Sequence, residues 1–115
     1  MTPPPAQNKI THTSGWLSPH GQFYKCRGWE HVKTAIDIGF TDTELEEKGW
    51  MKISEGKVMP AYSHKRGKMI RPSKKQIDLL WDWFVARGKG KQFPKWILDD
   101  SISEDEILRE LEEMY

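Results

Sequence analysis

The chain reads as a small single α+β domain, and three observations predict this. Its 115 residues are 37% hydrophobic and 30% charged, enough apolar material for one modest core and a solvated surface. Short runs flanked by turn chemistry alternate with segments whose apolar residues recur at helical spacing. Three capping-box signatures mark where helices begin.

Residues 1–14 hold three prolines and little that is apolar, so they read as a flexible arm ahead of a core domain over 15–98. Pro19-His20-Gly21 lies between Trp16-Leu17 and residues 22–26, which predicts a β-hairpin. Trp29, Val32, Ile36 and Phe40 then fall at helical spacing, with Gly39 placed to end the helix. Thr41 and Glu44 form the first capping box, opening a short helix that stops at Gly49. Glu55-Gly56 separates two strand-like runs, 50–54 and 57–62, as the turn of a second hairpin. A basic loop over 63–68 leads to a short strand at 69–71. Ser73 and Gln76 form the second capping box. On the helix they open, Ile77, Leu80, Trp81 and Phe84 make one buried face, and Gly88 closes it. Ser103 and Glu106 make the third box, opening an acidic C-terminal helix within 99–115, with Ile107, Leu108, Leu111 and Met114 on its apolar side.

The net charge of +1 conceals two opposed blocks. Residues 57–95 hold eleven Lys or Arg against Asp78 and Asp82, about +9, while residues 99–115 hold eight acids against Arg109, about −7. The basic side chains Lys65, Arg66, Lys68, Arg71, Lys74 and Lys75 are candidates for phosphate contact, since Lys74 and Lys75 sit at a helix start whose N–H groups favour anions. Tyr62 and the tryptophans offer stacking surfaces for unpaired bases.

On the second capped helix Leu79 and Trp83 form an apolar pair on a different side from the main face. One reading makes Trp83 the anchor of a partner or homodimer interface; the other covers the pair with the C-terminal elements. The carboxylates Glu106, Glu110 and Glu113 make a face that can imitate a phosphate array and occupy a basic groove on a partner. The alternative there is an ordinary solvated helix.

Catalytic and cofactor signals are weak. His20, Cys26, His31 and His64 offer the residue types of a mixed zinc site, but Cys-x4-His matches no strong zinc spacing. Cys26 with His31 as a nucleophile pair lacks a third orienting group. The expectation is a non-enzymatic chain without metal or cofactor. One cysteine, no apolar run of membrane length and no signal-peptide core point to the cytoplasm and to no membrane partner.

Two resemblances bear on this reading. The order helix, short helix, hairpin over about 29–62 resembles a winged helix-turn-helix, with Leu45-Glu-Glu-Lys-Gly-Trp-Met-Lys-Ile at the junction of recognition helix and wing. Asp42, Glu44, Glu46 and Glu47 on that short helix would be repelled by phosphates, which argues against major-groove reading by it. The string Gly15-Trp-Leu-Ser-Pro-His-Gly-Gln-Phe-Tyr-Lys-Cys, with His31 and Glu47-Lys-Gly-Trp-Met-Lys-Ile-Ser, resembles a pattern of small uncharacterised phage and prophage proteins. That resemblance implies a mobile-element setting, in a host cytoplasm. Short non-enzymatic chains there are often inhibitors or modulators of host complexes, anti-CRISPR proteins among them. Two functions are therefore expected: binding and modulation of a host or phage protein complex, such as a nucleic-acid-handling defence nuclease, or binding of nucleic acid by residues 64–75.

Overall fold

The computed structural model describes residues 7–25, 40–99 and 101–114, with the last of these as backbone only. The helix expected over 29–39, together with Cys26 and His31, lies outside the described residues. What is described is an α+β fold with the elements β1 (Gly15–Leu17), β2 (Phe23–Lys25), α1 (Asp42–Glu47), β3 (Met51–Ser54), β4 (Lys57–Met59), β5 (Ala61–Ser63), β6 (Lys68–Ile70), α2 (Lys74–Ala86), α3 (Lys95–Leu98) and α4 (Glu104–Met114).

β1 and β2 pair antiparallel as expected, Gly15 with Lys25 through Leu17 with Phe23. Their turn is closed by the Ser18 and Gln22 backbones at 2.8 Å. β3 joins the other side of β1, and β4 pairs with β3, giving the order β2-β1-β3-β4. The β3–β4 turn puts both Glu55 (φ 53°) and Gly56 (φ 83°) in the left-handed region, the requirement of a type I′ hairpin turn. Glycine meets it without strain, whereas glutamate is held by its surroundings. The Glu55 N–H donates to Ser14 Oγ at 3.2 Å and the Gly56 N–H to the Thr13 carbonyl at 2.7 Å.

Those bonds correct one expectation. Residues 7–14 are not a free arm. Gln7 exchanges two backbone hydrogen bonds with Phe23, at 3.0 and 2.7 Å, and so extends the sheet beyond β2. Ile10 is buried in the main core. The pairing runs through backbone groups, which side-chain patterning does not reveal.

The strand expected over 57–62 is also divided. Pro60 has no N–H to give a ladder, so β4 ends at Met59 and β5 leaves to pair with β6 in a separate two-stranded sheet. The hairpin that resembled a wing is thus part of a larger sheet in which β3 is an inner strand.

α1 and α2 begin where the capping boxes place them. In each, the Ncap hydroxyl of Thr41 or Ser73 accepts the N3 amide, and the Glu44 or Gln76 side chain returns to the Ncap N–H. Gln76 does more. Its side chain is buried, and its Nε2 donates to the carbonyls of Leu17 (3.1 Å) and Gly49 (2.9 Å) while Oε1 accepts from the Ser73 N–H (2.9 Å). One amide thus pins the start of α2 to β1 and to the α1–β3 junction, with both donors and its acceptor satisfied.

That anchorage sets the rotation of α2. The buried residues are Gln76, Leu80, Trp83 and Phe84, with Ile77 and Leu79 packed partly buried against the core. Leu80 and Phe84 keep the buried place expected of them. Trp81 and Trp83 lie about 200° apart on a helix, so only one of them can face inward. The sequence favours Trp81; in the structure Trp83 is 6% exposed and Trp81 46%. At the other end Gly88 (φ 71°) ends the helix, with the Lys89 N–H bonding the Phe84 carbonyl and the Gly88 N–H that of Val85, a Schellman closure that needs a left-handed residue.

After α2, Phe93, Trp96 and Ile97 enter the core. Phe93 meets Phe84 and Trp81 edge-on, with ring centroids 5.2 and 5.3 Å apart. α4 buries Ile107 and half-buries Leu111, but Leu108 stays 50% exposed, so the apolar side expected for this helix is narrower than its sequence implies. Burying Ile107 alone stabilises the docked helix by about 2 kcal/mol.

Candidate functional site

The partner stripe expected at Leu79 and Trp83 is not a surface. Trp83 packs in the main core beside Phe84, and the Arg87 guanidinium lies 4.5 Å over its ring. Leu79 packs against the same core. Both are withdrawn as partner contacts, because Gln76 turns that side of α2 inward.

The basic segment is built onto α1. The Ser63 hydroxyl donates to Glu47 Oε2 at 3.0 Å and the Lys65 N–H to Glu47 Oε1 at 2.9 Å. His64 Nε2 lies 2.9 Å from Glu46 Oε2. The Lys65 N–H is the largest cause holding the Glu47 carboxyl below the usual carboxylate range; the Ser63 hydroxyl and the Lys65 charge add to it against a desolvation cost. Arg66 turns back on the loop, its N–H and Nε both donating to Ser63 Oγ at 3.3 Å. Two of the α1 carboxylates expected to repel phosphate are therefore occupied by the loop, and Asp42 pairs with Lys52 at 3.6 Å.

Arg71 leaves the phosphate-binding set. Its guanidinium donates to the carbonyls of Trp96 (3.3 Å), Asp99 (3.4 Å) and Ile102, tying down the chain between α3 and α4. A planar group with several donors suits such carbonyl capping, and both terminal nitrogens are committed to it. Lys65, Arg66, Lys68, Lys74 and Lys75 remain exposed.

α4 is fastened by its own acids. Glu104 accepts from the Met69 N–H (2.8 Å), Glu110 from the Lys95 N–H (2.7 Å), and Ser103 Oγ from the Glu106 N–H (3.3 Å). Asp99, nearby, is held below the usual range first by the Ser101 hydroxyl and N–H and then by the Arg71 charge. Glu106 and Glu113 point outward around a shallow depression shared with Lys95, Arg109 and half-buried Glu110. Among the described residues, the ion pairs Lys52–Asp42 and His64–Glu46 do not join the basic block to the acidic one. The two blocks meet through backbone groups, and their charges stay on the surface.

Between α4 and the strands runs a groove of about 450 Å³, lined among others by Met59, Pro60, Met69, Leu108 and Leu111 with Lys52 and Lys57 at its rim. Leu108 and Met59, both substantially exposed, give it an apolar wall, and Glu46 is the carboxylate among its lining residues. Neither this groove nor the exposure of Trp81 is legible in the sequence. Val85, one turn after Trp81 on the same side of α2, is likewise 51% exposed.

No cluster of three or more metal-ligating side chains occurs among the described residues. His20 is exposed on its turn and His64 is engaged with Glu46. No described helix is long and apolar enough to cross a membrane. Comparison with family models, curated proteins and solved structures returned no match.

Proposed function

We propose that this chain is a non-enzymatic binding protein of phage or mobile-element type, which docks on a host macromolecular complex and modulates or inhibits it. The observation that carries the reading is the outer face of α4. Exposed Glu106 and Glu113 line one shallow depression with Arg109, Glu110 and Lys95, on the side of the helix opposite Leu108 and Leu111. Clustered carboxylates complement a protein surface that normally receives nucleic acid, where lysines and arginines are concentrated. Such a surface is found on nucleic-acid-handling defence nucleases, and occlusion of it is the anti-CRISPR-like form of this proposal. The host cytoplasm is the corresponding location.

The test is affinity capture from host lysate with three baits: wild type, E106Q/E113Q, and L108A. Glu110 is left intact because it caps α3. The proposal expects a protein captured by wild type, lost or strongly reduced with E106Q/E113Q, and kept by L108A, whose change lies on the other side of α4; the melting temperatures of both variants stay near wild type. Capture that is equal for all three baits refutes the site.

A second reading is favoured by one observation, the exposure of Lys65, Arg66, Lys68, Lys74 and Lys75. As a nucleic-acid-binding surface these side chains would give retention on DNA that falls steeply with salt. The triple variant K65E/R66E/K68E should then abolish retention; unchanged retention removes the reading.

A further inference from the structure

The most unusual side chain on the surface is Trp81. It is 46% exposed, yet it packs against Phe93 and Gly90. Phe93, itself buried, meets it edge-on at 5.3 Å with the ring planes 85° apart. On another side the ring abuts Gly90: a Cβ built there would lie 3.9 Å from Trp81 Cη2 and 3.4 Å from Val85 Cγ2. A residue larger than alanine at position 90 would lie against the ring, so glycine keeps that approach free of a side chain. The result is a packed indole with open surface, at the point where the Gly88-Lys-Gly-Lys segment passes the helix.

The charges around it are divided by side. Lys89 and Lys91 flank Gly90 and are exposed, with Cα atoms about 3.8 Å from that of Gly90. Lys74 lies two turns before Trp81 on the same stripe of α2, about 10 Å along the axis, and is exposed. Asp78 and Asp82 are the nearby carboxylates, both on the helix itself. The cationic approach is therefore from the Gly90 side. A packed, half-exposed aromatic ring beside a lysine pair is the arrangement that holds an unstacked base while neutralising its backbone. A duplex offers no free base face for such a ring.

We propose that Trp81 is a stacking platform for an unpaired base of single-stranded nucleic acid, with Lys89 and Lys91 contacting the adjacent phosphates. This site is separate from the acidic face of α4 and from the basic loop over 64–68. It stands or falls independently of the function proposed above.

The test uses the full chain and fluorescently labelled oligodeoxythymidylate, with binding followed by anisotropy at low salt and folding checked by circular dichroism. Wild type is expected to bind, and W81L to bind between about 5-fold and 100-fold more weakly with its fold retained. W81F is expected to recover most of the affinity. K89Q/K91Q should reduce the slope of log affinity against log salt by about 1.4, two charges at about 0.7 each on a single strand. Unlabelled duplex should compete poorly. The proposal is overturned if wild type fails to bind, if W81L binds as wild type does, or if duplex competes equally. It is also overturned if W81L loses a captured protein but not the oligonucleotide, since that would make Trp81 a protein anchor.

Discussion

Replacing the two tryptophans of α2 one at a time tests how this helix is set against the core. Trp83 is 6% exposed, touches Phe84 and carries Arg87 over its ring. Truncating a buried tryptophan to alanine costs about 3–5 kcal/mol, and the lost cation–π contact at the rim adds about 0.5 kcal/mol. For Trp83→Ala about 4 kcal/mol is therefore expected, against a total of about 5–15 kcal/mol for a domain of this class. At roughly 4 °C per kcal/mol for a chain near this size, the melting temperature should fall by about 15 °C. Trp81 is 46% exposed and loses mainly its edge contact with Phe93, so Trp81→Ala should cost only about 1 kcal/mol. The assay is urea unfolding followed by far-ultraviolet circular dichroism, with the denaturant slope compared between variants to confirm an unchanged unfolding reaction. Equal costs, or a larger cost at Trp81, would refute the rotation of α2 and with it the withdrawal of Trp83 from the surface.

Gln76→Leu preserves volume but strands the carbonyls of Leu17 and Gly49 and the Ser73 N–H; a loss of about 3 kcal/mol in urea unfolding is expected, and a loss under 1 kcal/mol would show that the amide anchors nothing. Deleting residues 1–14 should lower the melting temperature measurably, because Ile10 and the bonds to Phe23, Glu55 and Gly56 go with it; an unchanged transition would restore the free-arm reading. Arg71→Met should release the chain between α3 and α4, seen as faster proteolysis after residue 98 at constant core stability, whereas wild-type proteolysis rates would contradict the capping role. Glu47 has its pKa lowered in the fold, so its contribution is present above the unfolded carboxylate range and is lost as pH falls through the folded value. Stability should decline from about pH 5 downward, and E47Q should flatten part of that decline; an identical pH profile would remove Glu47 from the loop anchor.

Local rules carried the sequence a long way. Thr41 with Glu44, Ser73 with Gln76, and Gly49 and Gly88 marked helix ends correctly, because a cap depends on residues three or four apart. Glu55-Gly56 marked its turn for the same reason. What failed depended on distant partners. The orientation of α2 is decided by Gln76 reaching residues 59 and 27 positions away, and no helical periodicity contains that information. The tie of residues 7–14 to the sheet is made by backbone atoms. Arg71 reads as one more cation in a basic run until its three carbonyl acceptors are seen. The break at Pro60 was the exception: a residue without an N–H stands in the middle of the expected strand, and its chemistry alone was sufficient to divide it.

For the candidate surfaces the same division holds. The acidic face of α4 was legible, since Glu106, Glu110 and Glu113 recur at helical spacing, and Glu106 and Glu113 remain exposed. The apolar contribution was not. Leu108 and Met59 come from elements 49 residues apart in the chain and meet only around a groove. The Lys52–Asp42 and His64–Glu46 ion pairs do not join the two charge blocks, although Lys95 of the basic block lines the same depression as Glu106 and Glu113.

The most direct test of the binding proposal is the salt dependence of association with the protein that wild type captures. Charge-steered docking through Glu106 and Glu113 predicts an association rate that falls as ionic strength rises, and a flatter dependence for E106Q/E113Q. An association rate indifferent to salt in both proteins would contradict the acidic face as the docking surface.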